Sequence, residues 1–306
     1  MKTQRVSIST CQLQKKYGDR RAIEIAAEIG ANGIDFDLLA YDSTKTDNLY
    51  TKGDEAVRAY FSDLRAYAES MGILIVQTHG RIRGFQLDTM TDDALVESAR
   101  LDCIATRALG AKYCVIHTFS NNAAGENAPK ELMYRVNREM YCRLLPFADA
   151  EGIKIATETF GATCNRGCAE FFGDITHFLN GYEDIIRHSE HAASLCVCMD
   201  VGHTNSATQL PDNPPVADVI RRLGSRIEVL HLHDNNAISD QHKLPMTGTV
   251  NWKDVFDALD EIGYDGWYNL ECRLDLFGKN FEVETAAFAV RILRHLLAIR
   301  YERSSN

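Results

Sequence analysis

No apolar run among these 306 residues is long enough to span a bilayer, and the opening stretch MKTQRVSISTCQL has no apolar signal core. The reading therefore has no place for a membrane, and the cytoplasm is the expected location. A long basic run is also missing. Lys and Arg number 33 against 43 Asp and Glu, a formal net charge of −10. Binding to a phosphate backbone is dominated by clustered Lys and Arg, so this balance argues against a nucleic-acid or anionic-membrane surface. There is no Gly-x-Gly-x-x-Gly after the first expected strand and no phosphate-loop motif, which speaks against an open nucleotide-binding sheet. Cys164-x3-Cys168 is followed by no second Cys/His pair of zinc-finger spacing. Cys114, Cys196 and Cys198 lie in apolar segments where a thiol serves as a small hydrophobe. No linker-like segment interrupts the chain, so residues 1–306 are expected to form a single domain.

What is present is one unit repeated eight times, a short β-rich run and an amphipathic helix, with a glycine after most of the helices. Val6–Thr10 is the first expected strand. Ala22, Ile25, Ala26 and Ile29 follow at helical spacing, and Gly30 stops that helix. Further strands are expected at 33–38, 73–78, 113–117, 153–158, 195–200, 227–233 and 267–271. Helices are expected at 54–70, 92–109, 129–150, 178–193, 215–223, 252–262 and 281–301. Glycine at the end of a helix is the signature of αβ loops, and strict alternation implies a parallel sheet. The predicted fold class is α/β, a single (β/α)8 TIM barrel.

Barrel enzymes carry their active sites at the C-terminal ends of the strands. Here the third strand ends in His79, the fourth in His117, the fifth in Glu158 and the sixth in Asp200, with His203 three residues on. The seventh runs into IEVLHLHDNNAISDQH, whose His231 and His233 share a face because side chains alternate along a strand. Asp240 and His242 follow in its loop. The eighth ends in Glu271, with Arg273 two residues on. A strand carrying structural histidines is the bland alternative for His231 and His233. Six consecutive strands ending in His, Asp or Glu describe a ring of nitrogen and oxygen ligands without thiolate. Such a ring suits a divalent ion: Mn, Mg, Co or Zn.

The series Glu158–Phe160 (ETF), Met199–His203 (MDVGH), His231–Asn235 (HLHDN), Asp240-x-His242 and Gly263–Glu271 (GYDGWYNLE) resembles the xylose isomerase-like barrel superfamily. That group holds sugar and sugar-phosphate isomerases and epimerases together with apurinic-site endonucleases of the endonuclease IV type. The resemblance to ketose 3-epimerases implies one metal held by Glu158, Asp200, His233 and Glu271, with His203 at the substrate. His233 fits that pattern better than His231. The chain departs from relatives in having Pro245-Met246-Thr247-Gly248 where Pro-Gly-x-Gly is common.

Epimerising a sugar needs a base and an acid flanking one carbon, and a Lewis acid to stabilise the enediolate. Glu158 and Glu271 are the expected proton-transfer pair, with Asp200 and His233 as ligands only. His79, His117 and His203 would bind hydroxyls of a sugar or sugar phosphate. Arg273 would meet a phosphate or carboxylate, or else simply pair with a neighbouring acid. His231, Asp240 and His242 are candidates for extra metal or loop ligands. In the alternative reading the resemblance supplies as ligand candidates His79, His117, Glu158, Asp200, His203, His231 or His233, Asp240, His242 and Glu271. In that reading the resemblance to the endonuclease branch implies three zinc ions and phosphodiester hydrolysis. A lyase of the inosose-dehydratase type and a sugar-binding relic also stay open. A homo-oligomer, through Phe171-Phe172 or the last helix, is a further expectation.

Overall fold

The structure, a computed structural model, describes residues 4–304, with side chains described through residue 300. Met1–Thr3 and Ser305–Asn306, the ends of the expected 1–306 domain, and the side chain of Tyr301 lie outside the described residues. The chain runs β1 (Val6–Ser9), α1 (Cys11–Tyr17), α2 (Asp19–Glu28), β2 (Gly33–Asp37), α3 (Asp54–Ser70), β3 (Leu74–His79), α4 (Thr89–Ala108) and β4 (Tyr113–Ile116). It continues through α5 (Asn121–Ala124), α6 (Lys130–Glu151), β5 (Lys154–Glu158), α7 (Ile175–His188), β6 (Leu195–Asp200) and α8 (Val201–Ala207). Then come α9 (Val216–Leu223), β7 (Ile227–His231), α10 (Trp252–Glu261), β8 (Tyr268–Leu270) and α11 (Glu282–Ser304).

All neighbouring strands are parallel, in the order β7-β6-β5-β4-β3-β2-β1-β8. The ring closes just beyond β7. There Leu232 N–H donates to Asn269 O (2.8 Å), and Glu271 N–H donates to Leu232 O (3.1 Å). The expected TIM barrel is therefore the fold.

Helix starts depart from expectation where a capping side chain takes over. Asp88 accepts from Thr91 N and starts α4 three residues before Asp92, and Asp174 accepts from Thr176 N and His177 N ahead of α7. A carboxylate that satisfies free first-turn N–H groups outweighs the apolar periodicity that begins later. The short helices α1, α5 and α8 add to the eight-fold pattern. Helix α8 is capped by Asp200 itself, whose Oδ1 accepts from His203 N (2.6 Å). The residue that ends β6 thereby also turns the chain, and His203 is carried back over the strand end.

Phe36 and Met199 from the strands and Phe61, Leu64 and Leu144 from the helices belong to the large buried core. A smaller apolar cluster of Val115, Ala156, Cys196, Cys198 and Val229 is separate from it. Ala156, Cys198 and Val229 lie two residues before Glu158, Asp200 and His231, so they share the strand face that carries those polar groups. Among the described residues no helix is long and apolar enough to cross a membrane. Phe172 is buried and Phe171 stacks on His177 with ring centroids 4.2 Å apart, so this pair packs within the chain.

Candidate active site

His79, Glu158, Asp200 and His231 are the last residues of their strands, and His117 and Glu271 directly follow β4 and β8. All six therefore sit on one rim. Glu158 is fully buried at the centre. His117 Nε2 lies 3.1 Å and His79 Nε2 3.5 Å from its Oε2, while His203 Nδ1 (3.1 Å) and His231 Nδ1 (3.4 Å) approach Oε1. His231 Nδ1 is also 3.1 Å from Glu271 Oε2 and 3.9 Å from Asp200 Oδ2. Glu158, Asp200, His231 and Glu271 thus offer one ligand atom each, all within 4.8 Å of one another.

Of the further groups that overlap or adjoin this quartet, two extend it to either side. His79, His117 and Glu158 form one on the β3–β4 side. His203, His233, Asp240 and His242 form the other, with Asp240 Oδ2 3.3 Å from His203 Nε2 and 3.1 Å from His242 Nε2. His233 stacks on His242 with centroids 3.8 Å apart, and its Nε2 lies 3.0 Å from Asp200 Oδ1. Gly202 makes room for it, since a Cβ there would lie 2.0 Å from the His233 ring.

Several of these atoms have no hydrogen-bond partner although they are buried: both Glu158 oxygens, Asp200 Oδ2, His231 Nδ1, His117 Nε2 and both His233 nitrogens. Orphaned buried polar atoms are rare and each is expensive. A cation among them would satisfy several at once, so the donor set fits a divalent ion.

The electrostatics agree. Burial alone would lower the pKa of His79, but the close approach of Glu158 and the charges of Glu271 and Glu158 outweigh it and raise it to about 9. His242 likewise rises to about 9 against burial, through Asp240 and Glu271. Against burial, His203 is held well above the ordinary histidine value by Asp200 and Asp240, and His231 by Cys198, Glu271 and Glu158. Burial pushes Glu158 up, yet His231 and His117 hold it well below the carboxylate range, and His231 does the same for Glu271. Without a metal ion, protons on imidazole supply the positive charge these carboxylates require.

The rim opens into a cavity of about 560 Å3, lined among others by His79, His117, Glu158, Phe160, His203, Asp240, His242 and Glu271. Arg83 also lines it, exposed and without an ion pair among the described residues. Phe160 packs edge-on to His117 and faces the cavity, whereas Phe119 is fully buried.

The structure departs from the sequence expectation at three positions. It brings His231, not His233, into the quartet with Glu158, Asp200 and Glu271. Both imidazoles leave the same strand face, but two residues of extended chain separate them by roughly 6–7 Å along the strand. His203 joins His233, Asp240 and His242 rather than standing only at the substrate cavity. Arg273 turns outward and pairs with Asp275 (3.1 and 3.2 Å). Asp234 also faces away: its Oδ2 accepts from Trp252 Nε1 (3.0 Å) and its Oδ1 from Val250 N (3.1 Å). It anchors the 242–252 segment, where Gly248 fits because a Cβ would lie 2.1 Å from Asn235 O.

Two residues escaped the sequence reading. Glu170, buried at the cavity wall, accepts from Ser120 Oγ (2.6 Å) and braces the loop after β4. Asp35, fully buried in β2, lies 3.3 Å from His231 Nε2. An Asp two residues after the start of a strand was the available signal, since a charge on an inward face demands a partner.

A (β/α)8 barrel with a rim of imidazole and carboxylate groups is the class defined by this fold and site. The family model for xylose isomerase-like TIM barrels matches residues 23–294, and the chain belongs to that family. Among solved structures it is similar to a D-tagatose 3-epimerase-like protein (21% identical, 98% of this chain and 99% of the other covered, TM-score 0.73). It also resembles the D-psicose 3-epimerase of Clostridium cellulolyticum H10 (15%, 96% and 99%, TM-score 0.72) and the zinc-bound IolI protein (15%, 96% and 96%, TM-score 0.69). At these identities the likeness is one of fold. An uncharacterised protein of Methanocaldococcus jannaschii is 32% identical over 111 residues, and the match spans about a third of each chain.

Proposed function

We propose that this protein is a divalent-metal-dependent isomerase or epimerase acting on a sugar or sugar phosphate. The observation that carries the reading is the quartet Glu158, Asp200, His231 and Glu271, with its orphaned ligand atoms at the floor of a polar cavity. Sugar 3-epimerases among the structural neighbours support the same substrate class. A divalent ion held by these four would polarise the oxygens beside the reacting carbon and acidify its C–H. Glu158 and Glu271 act as the proton-transfer pair, one removing the proton and the other returning it. Their low pKa values keep both ionised near neutrality, ready to accept a proton. Asp200 and His231 serve as ligands. His79 and His117 orient hydroxyls, and Arg83 takes the place assigned to Arg273 as the cation that meets an anionic substrate end.

Proton transfer leaves a trace. In deuterium oxide, a screen of ketoses and their phosphates should yield a substrate whose product carries solvent deuterium at the inverted or isomerised carbon. Glu158→Gln and Glu271→Gln should abolish both turnover and exchange. Turnover without deuterium uptake would sink the mechanism.

A second reading, hydrolysis of a phosphate ester, is favoured by one observation: the two additional ligand groups on either side of the quartet. Metal stoichiometry separates the two. One ion per chain, retained in His242→Ala, supports the isomerase; two or three ions, with occupancy falling in His242→Ala, would favour the hydrolase. Loss of water from the sugar, seen by product analysis, would identify a lyase instead.

A further inference from the structure

Barrel interiors are usually filled by branched apolar side chains, yet this one carries a buried polar string beneath its rim. Ser7 Oγ donates to Asn269 Oδ1 (3.0 Å), and Asn269 Nδ2 donates to Asp35 Oδ2 (3.1 Å). Gln77 Nε2 donates to the same oxygen (3.1 Å), and His231 Nε2 lies 3.3 Å from it. Ser7, Asp35, Asn269 and His231 have no solvent exposure, and Gln77 has 2%. These residues come from β1, β8, β2, β3 and β7, so five strands build one arrangement. A carboxylate without solvent needs a positive neighbour or a full set of donors. Asp35 Oδ1 has no donor at all. The one ion-pair partner of Asp35 among the described residues is His231.

We propose that Asp35 is the positioning residue of the site: it accepts the Nε2–H of His231 and so aims the Nδ1 lone pair at the space shared by Glu158, Asp200 and Glu271. This rests on the metal reading above and specifies how the ligand imidazole is held. An imidazole that binds a metal through one nitrogen keeps its proton on the other, and an acceptor for that proton fixes both tautomer and ring plane. Gln77 Nε2, 3.0 Å from His231 Nε2, supplies the competing arrangement. There the amide would donate to a bare Nε2, and the proton would sit on Nδ1 facing Glu271. Asp35 selects against that state, because a carboxylate accepts and never donates when ionised. Ser7, Asn269 and Gln77 keep the Asp35 carboxylate itself from rotating.

The test reads the imidazole directly. In 15N-histidine-labelled wild-type protein, with and without Co-free zinc loading, the His231 Nε2–H should appear as a downfield, slowly exchanging proton. It should move upfield or broaden away in Asp35→Asn. A bare His231 Nε2 in wild type would overturn the proposal, whether or not metal binds. Separately, cobalt(II) titration of the chelator-treated protein should show affinity reduced by roughly 10- to 100-fold in Asp35→Asn, the size typical of such outer partners, with the circular dichroism unchanged. Unchanged affinity and visible spectrum in a folded Asp35→Asn would also overturn it. Failure of wild type to take up cobalt or zinc would refute the metal reading instead, and the imidazole proton would still decide the role of Asp35.

Discussion

Replacing His231 and His233 one at a time asks which imidazole belongs to the central ion. His231 Nδ1 stands 3.1–3.9 Å from Glu271, Glu158 and Asp200, while His233 reaches only Asp200 Oδ1 at 3.0 Å and otherwise faces Asp240. A four-ligand zinc site binds with about 10–16 kcal/mol, so one ligand of four is worth about 2.5–4 kcal/mol, or ~100- to 1000-fold in affinity. His231→Ala should weaken the central ion by that amount. It also removes the cationic neighbour of buried Asp35, so a lower melting temperature of the metal-free protein is expected as well. His233→Ala should leave the central ion within a few-fold of wild type and deplete only an ion held beside Asp240 and His242. The assay is competition against a fluorescent zinc chelator, with bound metal counted by elemental analysis. Equal loss in both variants, or a His231→Ala protein that keeps its central ion, would refute the assignment.

Three other outcomes follow from single contacts. In the metal-free protein His79 and His242, with pKa values raised from 6.5 to about 9, contribute stability that is full below pH 6.5 and lost as pH rises through 9. The melting temperature should therefore fall across that window without metal but less steeply with zinc, whose charge beside Glu158 and Glu271 would offset the carboxylates that raise both imidazoles; parallel curves would contradict this. Gly202→Ala places a Cβ 2.0 Å from the His233 ring and should destabilise by about 1–3 kcal/mol in urea melts, with much of the loss restored in the His233→Ala background. Trp252→Phe removes the indole donor to buried Asp234 and should lower stability by about 1.5–3 kcal/mol; an unchanged urea midpoint would show that another donor takes over.

The sequence alone determined the barrel and the identity of its rim. Strand and helix periodicities are local properties, and so are the glycines that end most of the helices between strands; α3 and β6 lie at 54–70 and 195–200 as the pattern predicts. A ligand at a strand end is equally local, so His79, Glu158 and Asp200 could be placed one residue at a time. The level of the barrel at which two candidates on one face sit is not local. His231 lies beside Asp200 because β6 and β7 shift register between Val197 and Cys198, and Leu232 then pairs with Leu270 to close the ring. Neither register can be read from alternation, which treats His231 and His233 alike. Arg273 had an acid two residues away, and tertiary packing left it with that local partner instead of the cavity. Asp35 was invisible for the converse reason. It meets His231 and Asn269 only because a closed ring of eight strands brings residues about two hundred positions apart into contact.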